Sequence, residues 1–126
     1  MEKALKEFLN SLLLKRQKCP WGRNRALSSQ VEELEKEVAE LKQAIGKNQA
    51  AEIMEEFGDV FWDLLFVGLL AEEKGLFTMK QAIEEAHAKL KRRTPWVFGN
   101  ECISTEAEAV KRWNEIKEQE KSNKHN

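Results

Sequence analysis

The chain has 126 residues, and its 21 Lys and Arg nearly balance its 22 Asp and Glu, leaving a net charge of −1. That length suits one domain with a modest core, and the even charge balance, without a long basic run, argues against nucleic acid as a partner. With no Tyr, 6 Gly and 2 Pro, the composition favours helix over sheet. Cys19 and Cys102 are too few for a disulfide framework. "MEKALKEFLN" lacks the charged-then-apolar layout of a signal peptide. The longest apolar run is broken by Asp63 and falls short of the ~20 residues that cross a bilayer. A cytoplasmic protein with no membrane partner is the expectation.

Five helices and no strands are expected. The first runs from about Glu2 to Gln17, with Leu5, Phe8, Leu9, Leu12 and Leu13 on one side, and "CPWGRNR" breaks it at Pro20 and Gly22. The second begins near Ser29, where Ser29-x-x-Glu32 matches a capping box, and ends near Gly46. Its apolar seam is Val31, Leu34, Val38, Leu41 and Ile45. The third covers Ala50 to about Lys74, with Gly75 as the residue just past its end. From Val60 to Ala71 it is apolar on nearly every side, the pattern of a buried helix. The fourth starts at the capping box Thr78-x-x-Gln81 and stops before Pro95. The fifth starts at Thr105-x-x-Glu108 and runs to about Lys121, leaving residues 122–126 as a disordered polar tail. Short loops between long helices imply an all-α antiparallel bundle over residues 1–126.

The acidic residues carry the chemistry. Glu56, Asp59 and Asp63 lie within roughly 60° of one another on the third helix, in line with the apolar Val67 and Leu70. On the second helix Glu33, Glu37 and Glu40 form another stripe, with Glu37 roughly 70° from the centre of the seam. Acids beside a seam are ordinarily a solvated flank. Here, however, Glu37-x-x-Glu40 and Glu56-x-x-Asp59 are two i, i+3 pairs on consecutive helices joined by a short turn, so all four converge. Like charges at that density repel unless a cation sits among them. A cluster of oxygen ligands without His or Cys suits Mg²⁺ or Mn²⁺. Mg²⁺ usually accepts substrate phosphate oxygens, which points to a phosphate substrate, with Glu33 and Asp63 in support one turn away. At the end of the fourth helix, Lys89 and Arg93 flank the line Ile83, Ala86, Leu90. They are either complements to the helix dipole or clamps for phosphate, with Arg92 pointing further away.

These segments resemble the MazG-type nucleoside triphosphate pyrophosphohydrolases of the all-α NTP pyrophosphatase superfamily. The superfamily signature, EExxE followed by ExxD, stands here as "KEVAE" (Lys36 to Glu40) and "EFGD" (Glu56 to Asp59). "CPWG" is similar to the family's CPWD. "AEEKGLFTMKQAIEEAHAKLKRRTPWVFG" follows its A-x-E-x-G-x-F and K-L-x-R-R-H-P-H-V-F pattern, and "VKRWNEIKEQEK" its closing W-x-x-I-K-x-x-E segment. The resemblance implies hydrolysis between the α- and β-phosphates by a Mg²⁺-activated water, giving a nucleoside monophosphate and pyrophosphate. It implies Mg²⁺ on Glu37, Glu40, Glu56 and Asp59 as the catalytic centre. It also implies that the basic end of the fourth helix, Lys89, Arg92 and Arg93, binds the triphosphate. Three positions depart from the pattern. Lys36 replaces the first Glu of EExxE, Gly22 replaces the Asp of CPWD, and Thr94 and Trp96 replace two His.

Two other readings compete. A di-iron carboxylate bundle would use Glu84-x-x-His87, but the only other histidine is His125. A helical interaction module would keep the acids as structure, as a catalytically weakened relative with Lys36 and Gly22 would. An oligomer, most simply a homodimer, is expected because Leu12, Leu13 and Leu14 span more of the first helix than one contact uses. The family resemblance implies a dimer too, with Trp21 or Trp113 completing the partner's substrate pocket.

Overall fold

The computed structural model describes residues 1–124, and among them the chain is all-α. Seven helices follow in order: α1 (Glu2–Lys18), α2 (Pro20–Arg23), α3 (Leu27–Lys47), α4 (Ala50–Glu73), α5 (Met79–Arg93), α6 (Pro95–Phe98) and α7 (Glu106–Lys124). Five of them match the expected long helices. The one-turn helices α2 and α6 fall in stretches read as breaks, and each starts on a proline. The long helices α1 and α5 end before Pro20 and Pro95 as expected, and because proline at the first helical position sacrifices no intrahelical bond and sets φ for the turn, each proline also opens a short helix. α7 reaches Lys124 rather than stopping near Lys121. Of the expected disordered tail, His125 and Asn126 lie outside the described residues.

The ends of the helices show why the chain folds where it does. α3 starts at Leu27, two residues before the expected cap. Ser29 is not the cap but the third helical residue, and its Oγ accepts the Ala26 N–H (3.1 Å) and donates to the Ala26 carbonyl (3.0 Å). At α7 one arm of the expected box forms, with Thr105 Oγ1 accepting the Glu108 N–H (3.2 Å), while the return arm shifts by one residue. There the Glu108 carboxylate reaches back to Ser104 N–H (3.1 Å). α4 ends in a Schellman turn, with Gly75 at φ 70°. Its N–H goes to the Glu72 carbonyl (2.9 Å), and that of Leu76 to the Ala71 carbonyl (3.1 Å).

The chain divides into two compact units, Met1–Met79 and Lys80–Asn126. In the first, α3 and α4 form an antiparallel hairpin about the two-residue turn Asn48–Gln49, with Asn48 left-handed at φ 54°. Lys47 meets Glu52 at the turn (3.7 Å), and Gln30 at the far end of α3 meets Asp63 on α4 (3.1 Å). α1 packs on α4 through Leu12, Phe66, Leu69 and Leu70, a core flanked by Phe8, Leu27, Trp62, Leu65 and Met79. The apolar stretch of α4 is thus buried from Phe66 onward, except that Val67 is only partly covered, and Leu64 remains 52% exposed.

Arg16 ties the break after α1 to this unit. Its Nη1 donates to the carbonyls of Gly22 (2.7 Å), Arg23 (2.9 Å) and Arg25 (3.1 Å), and its Nε to Glu73 (2.8 Å). Gly22 is buried so tightly against α1 that a Cβ would overlap the Lys15 carbonyl oxygen. Backbone against backbone leaves nothing to yield, so Gly22→Ala destabilises the protein by about 1–3 kcal/mol, read as a lower urea midpoint. An unchanged midpoint would show that the break relaxes freely.

In the second unit, Arg92 and Arg93 at the end of α5 both pair with Glu120 of α7 (2.6 and 2.8 Å), and the Arg93 guanidinium lies over Trp113 at 5.4 Å. Arg112 of α7 holds Glu101 (2.9 Å). Both cysteines are free. No described helix is long and apolar enough to cross a membrane.

Candidate functional site

The α3–α4 hairpin places the acids. Along α3 the buried and half-buried positions are Leu27, Ser29, Gln30, Glu33, Leu34, Glu37, Leu41 and Ala44, and Leu27, Gln30, Leu34, Glu37, Leu41 and Ala44 among them repeat at a 3-4-3-4-3 spacing. Glu37 therefore stands on the packing seam rather than about 70° from it. Val31, Val38 and Ile45, expected in the seam, are 39%, 48% and 56% exposed. The apolar residues alone mislead here because the true seam, which starts at Leu27, carries the amide of Gln30 in its first turns and a carboxylate at its centre.

Facing Glu37 across the hairpin are Glu56 and Asp59. One carboxylate oxygen from each of the three falls within 4.8 Å of the others. Glu40, one turn from Glu37 and exposed, adjoins both Glu37 and Glu56. Glu37 Oε2 and Glu56 Oε2 are buried without a hydrogen-bond partner. Burial pushes the Glu37 carboxyl up to about 7, with the Glu40 and Asp59 carboxylates adding to the rise. Burial, together with Glu40 and Asp59, raises Glu56 as well. Desolvated acids with no proton donor are costly in isolation. The arrangement suits a hard divalent cation, whose ligands are anionic oxygens.

A cavity of about 260 Å³ opens beside these acids, lined by Glu33, Glu37, Asp59 and Asp63 together with Lys15, Trp21 and Trp62. The Lys15 ammonium lies over both indoles, 5.0 Å from Trp21 and 4.9 Å from Trp62. Arg25 covers Trp21 at 4.4 Å. Asp63 Oδ1 accepts from Gln30 Nε2 (3.1 Å), and Gln30 Oε1 accepts from Arg25 Nε (3.2 Å). Burial raises the Asp63 carboxyl, while the Gln30 bond and the Arg25 charge oppose the rise.

Of the residues singled out from sequence, Glu37, Glu40, Glu56, Asp59 and Trp21 come together in the first unit. Lys89, Arg92 and Arg93 belong to the second. There Lys89 is exposed, and the two arginines hold the Glu120 carboxyl down at about 2. Lys36, where the resembling family has Glu, is exposed and pairs with Glu33 (3.3 Å). Lys15, Gln30 and Trp62 were not anticipated. Lys15 and Trp62 are 47 positions apart in sequence, and only the packing of α1 on α4 makes them neighbours.

Comparison with known proteins identifies the fold and the family. Residues 25–98 match the MazG nucleotide pyrophosphohydrolase domain. The nucleoside triphosphate pyrophosphohydrolase/pyrophosphatase MazG of Thermotoga maritima is 36% identical over 106 residues, covering 84% of this chain and 40% of that protein. An uncharacterized protein of Bacillus subtilis, YabN, is 31% identical over 104 residues, covering 82% of this chain and 21% of that one. The chain therefore spans about two fifths or less of the length of these curated relatives. The crystal structure of a mazG-related protein from Thermotoga maritima superposes with a TM-score of 0.81 at 33% identity, covering 90% of this chain and 98% of that one. A chain whose central 74 residues match that domain model, and whose fold follows a mazG-related protein along nearly its whole length, belongs to the MazG nucleotide pyrophosphohydrolase domain family.

Proposed function

We propose that the protein is a nucleoside triphosphate pyrophosphohydrolase, cleaving (d)NTP between the α- and β-phosphates to (d)NMP and pyrophosphate, with Glu37, Glu40, Glu56 and Asp59 holding Mg²⁺ or Mn²⁺. The observation that carries this reading is the pair of buried, unpartnered oxygens, Glu37 Oε2 and Glu56 Oε2, converging with Asp59. An ion bound there supplies charge neutralisation at the phosphoryl group and a lowered pKa for water. The chain's own part is to fix the carboxylates by helix packing and to wall the cavity with Trp21 and Trp62, which limit water. Lys15 adds a positive charge beside the site. Purified protein screened against a panel of NTPs and dNTPs releases pyrophosphate, and EDTA stops the release. A panel without any pyrophosphate release would leave the acids as structure in a helical interaction module.

In the second unit, Lys89, Arg93 and, more weakly, Arg92 bind the triphosphate in this reading, supported by their match to the family's K-L-x-R-R segment. Lys89→Ala and Arg93→Ala each lower kcat/KM by about 10–100-fold, the size of a lost charge-assisted phosphate contact. Because Arg93 also secures Glu120, only its variant loses thermal stability as well. Unchanged kcat/KM in both would reduce them to helix-end charges.

The functional form is a cytoplasmic homodimer in this reading. Its support is the apolar surface that one chain leaves open: Leu13, Leu14, Val38, Met54, Phe57 and Leu64 are each 43–73% exposed. Light scattering at working concentration gives twice the monomer mass, and activity falls on dilution. A fully active monomer would overturn the assignment.

A further inference from the structure

The aromatic lining of the cavity has more structure than a metal site requires. Trp21 and Trp62 present their rings to one point, now filled by the Lys15 ammonium. Two indoles facing a shared gap are a stacking platform for any flat heteroaromatic ring. Asp63 sits one turn beyond Asp59 on α4, about 6 Å along the axis, a separation into which a sugar fits between a phosphate and a base. Its orientation is fixed by a relay of hydrogen bonds. Arg25, stacked on Trp21, donates to Gln30 Oε1, which sets the amide so that Nε2 donates to Asp63 Oδ1. Gln30 is 1% exposed, so the amide has no freedom to turn over. Among the described residues, the other Asp63 oxygen receives no hydrogen bond.

We infer that this lining reads the base, and that Asp63 selects nucleotides with an amino group at pyrimidine C4 or purine C6, as in cytosine and adenine. A carboxylate is an acceptor only. It takes a proton from an amino group and is repelled by the carbonyl oxygen that uracil, thymine or hypoxanthine presents at the same place. Lys15, displaced from between the rings, donates to a ring nitrogen or carbonyl of the same edge. The inference rests on the pyrophosphohydrolase reading for its substrate and goes beyond it in naming the class.

The test compares isosteric pairs, CTP with UTP and ATP with ITP. Turnover is measured, and binding is followed in parallel by tryptophan fluorescence quenching with Mg²⁺ present. The wild type prefers the amino-bearing member of each pair by about tenfold or more in Kd and in kcat/KM. In Asp63→Asn, Oδ1 still accepts from Gln30 and Nδ2 becomes a donor facing the cavity, so the preference falls below one. Equal binding within each pair, or a wild-type preference for UTP and ITP, overturns the inference. The binding arm separates two failures. Amino-selective binding without turnover would contradict the hydrolase reading and uphold the base selection. Turnover without selectivity would do the reverse.

Discussion

Glu56→Gln and Asp59→Asn each lower turnover by at least about 10³-fold while the protein stays folded. The size follows from the proposed metal site: removing one anionic ligand from a hard-ion site forfeits charge stabilisation worth several kcal/mol in the transition state. Stability moves the other way. In the absence of metal, Glu56 Oε2 is a buried oxygen without a donor, raised by burial and by Glu40. Its amide replacement removes a like charge, so the metal-free melting temperature of Glu56→Gln stays level or rises. A structural role for these acids would show the opposite pair of results, with lower stability and turnover kept. Circular dichroism melts beside the activity assay distinguish the two, and full activity in both variants would remove the carboxylates from the chemistry.

The metal-free protein loses stability as pH rises from about 5 to about 8. The Glu37 carboxyl titrates near 7 in the folded chain and near 4.5 when unfolded. Between those values the folded state binds more protons than the unfolded one, so unfolding becomes easier with each increment of pH and levels off above about 7. The rises at Glu56 and Asp63 have the same sign. Glu120, held at about 2 by Arg93 and Arg92, acts in the acid range, where its contribution is present above about 4.5 and is lost as pH falls towards 2. The metal-free protein is therefore most stable near pH 5. The drop towards pH 8 is on the order of 5 °C in melting temperature. Saturating Mg²⁺ reverses the slope, because ligands must be deprotonated to bind, and Glu37→Gln flattens the metal-free curve. A metal-free melting temperature that climbs from pH 5 to 8 would contradict this account.

The long helices were legible because periodicity, caps and short loops agreed, and Gly75 and Thr105 act where the sequence places them. The meeting of Glu37, Glu56 and Asp59 was legible for a related reason. Two i, i+3 acid pairs on an antiparallel hairpin have few other places to go. The seam of α3 was not legible, since its packing line runs through Gln30 and Glu37, and a hydrophobicity pattern passes over polar residues in favour of Val31, Val38 and Ile45. Lys15, Trp62 and Gln30 were invisible for want of any local signal, because tertiary packing alone makes them neighbours of Trp21 and Asp63. Arg92 and Arg93 read correctly as cations at the end of a helix, but their shared partner Glu120 lies 28 and 27 residues away. No motif links them.

The proposed reaction is defined by which bond is cut and by whether the carboxylates need a metal ion to cut it. Phosphorus NMR of a nucleoside triphosphate incubated with the protein answers both at once. With Mg²⁺, nucleoside monophosphate and pyrophosphate are the only products expected, with no reaction in EDTA or with Glu56→Gln. Nucleoside diphosphate with inorganic phosphate, or the same turnover in EDTA, would contradict it.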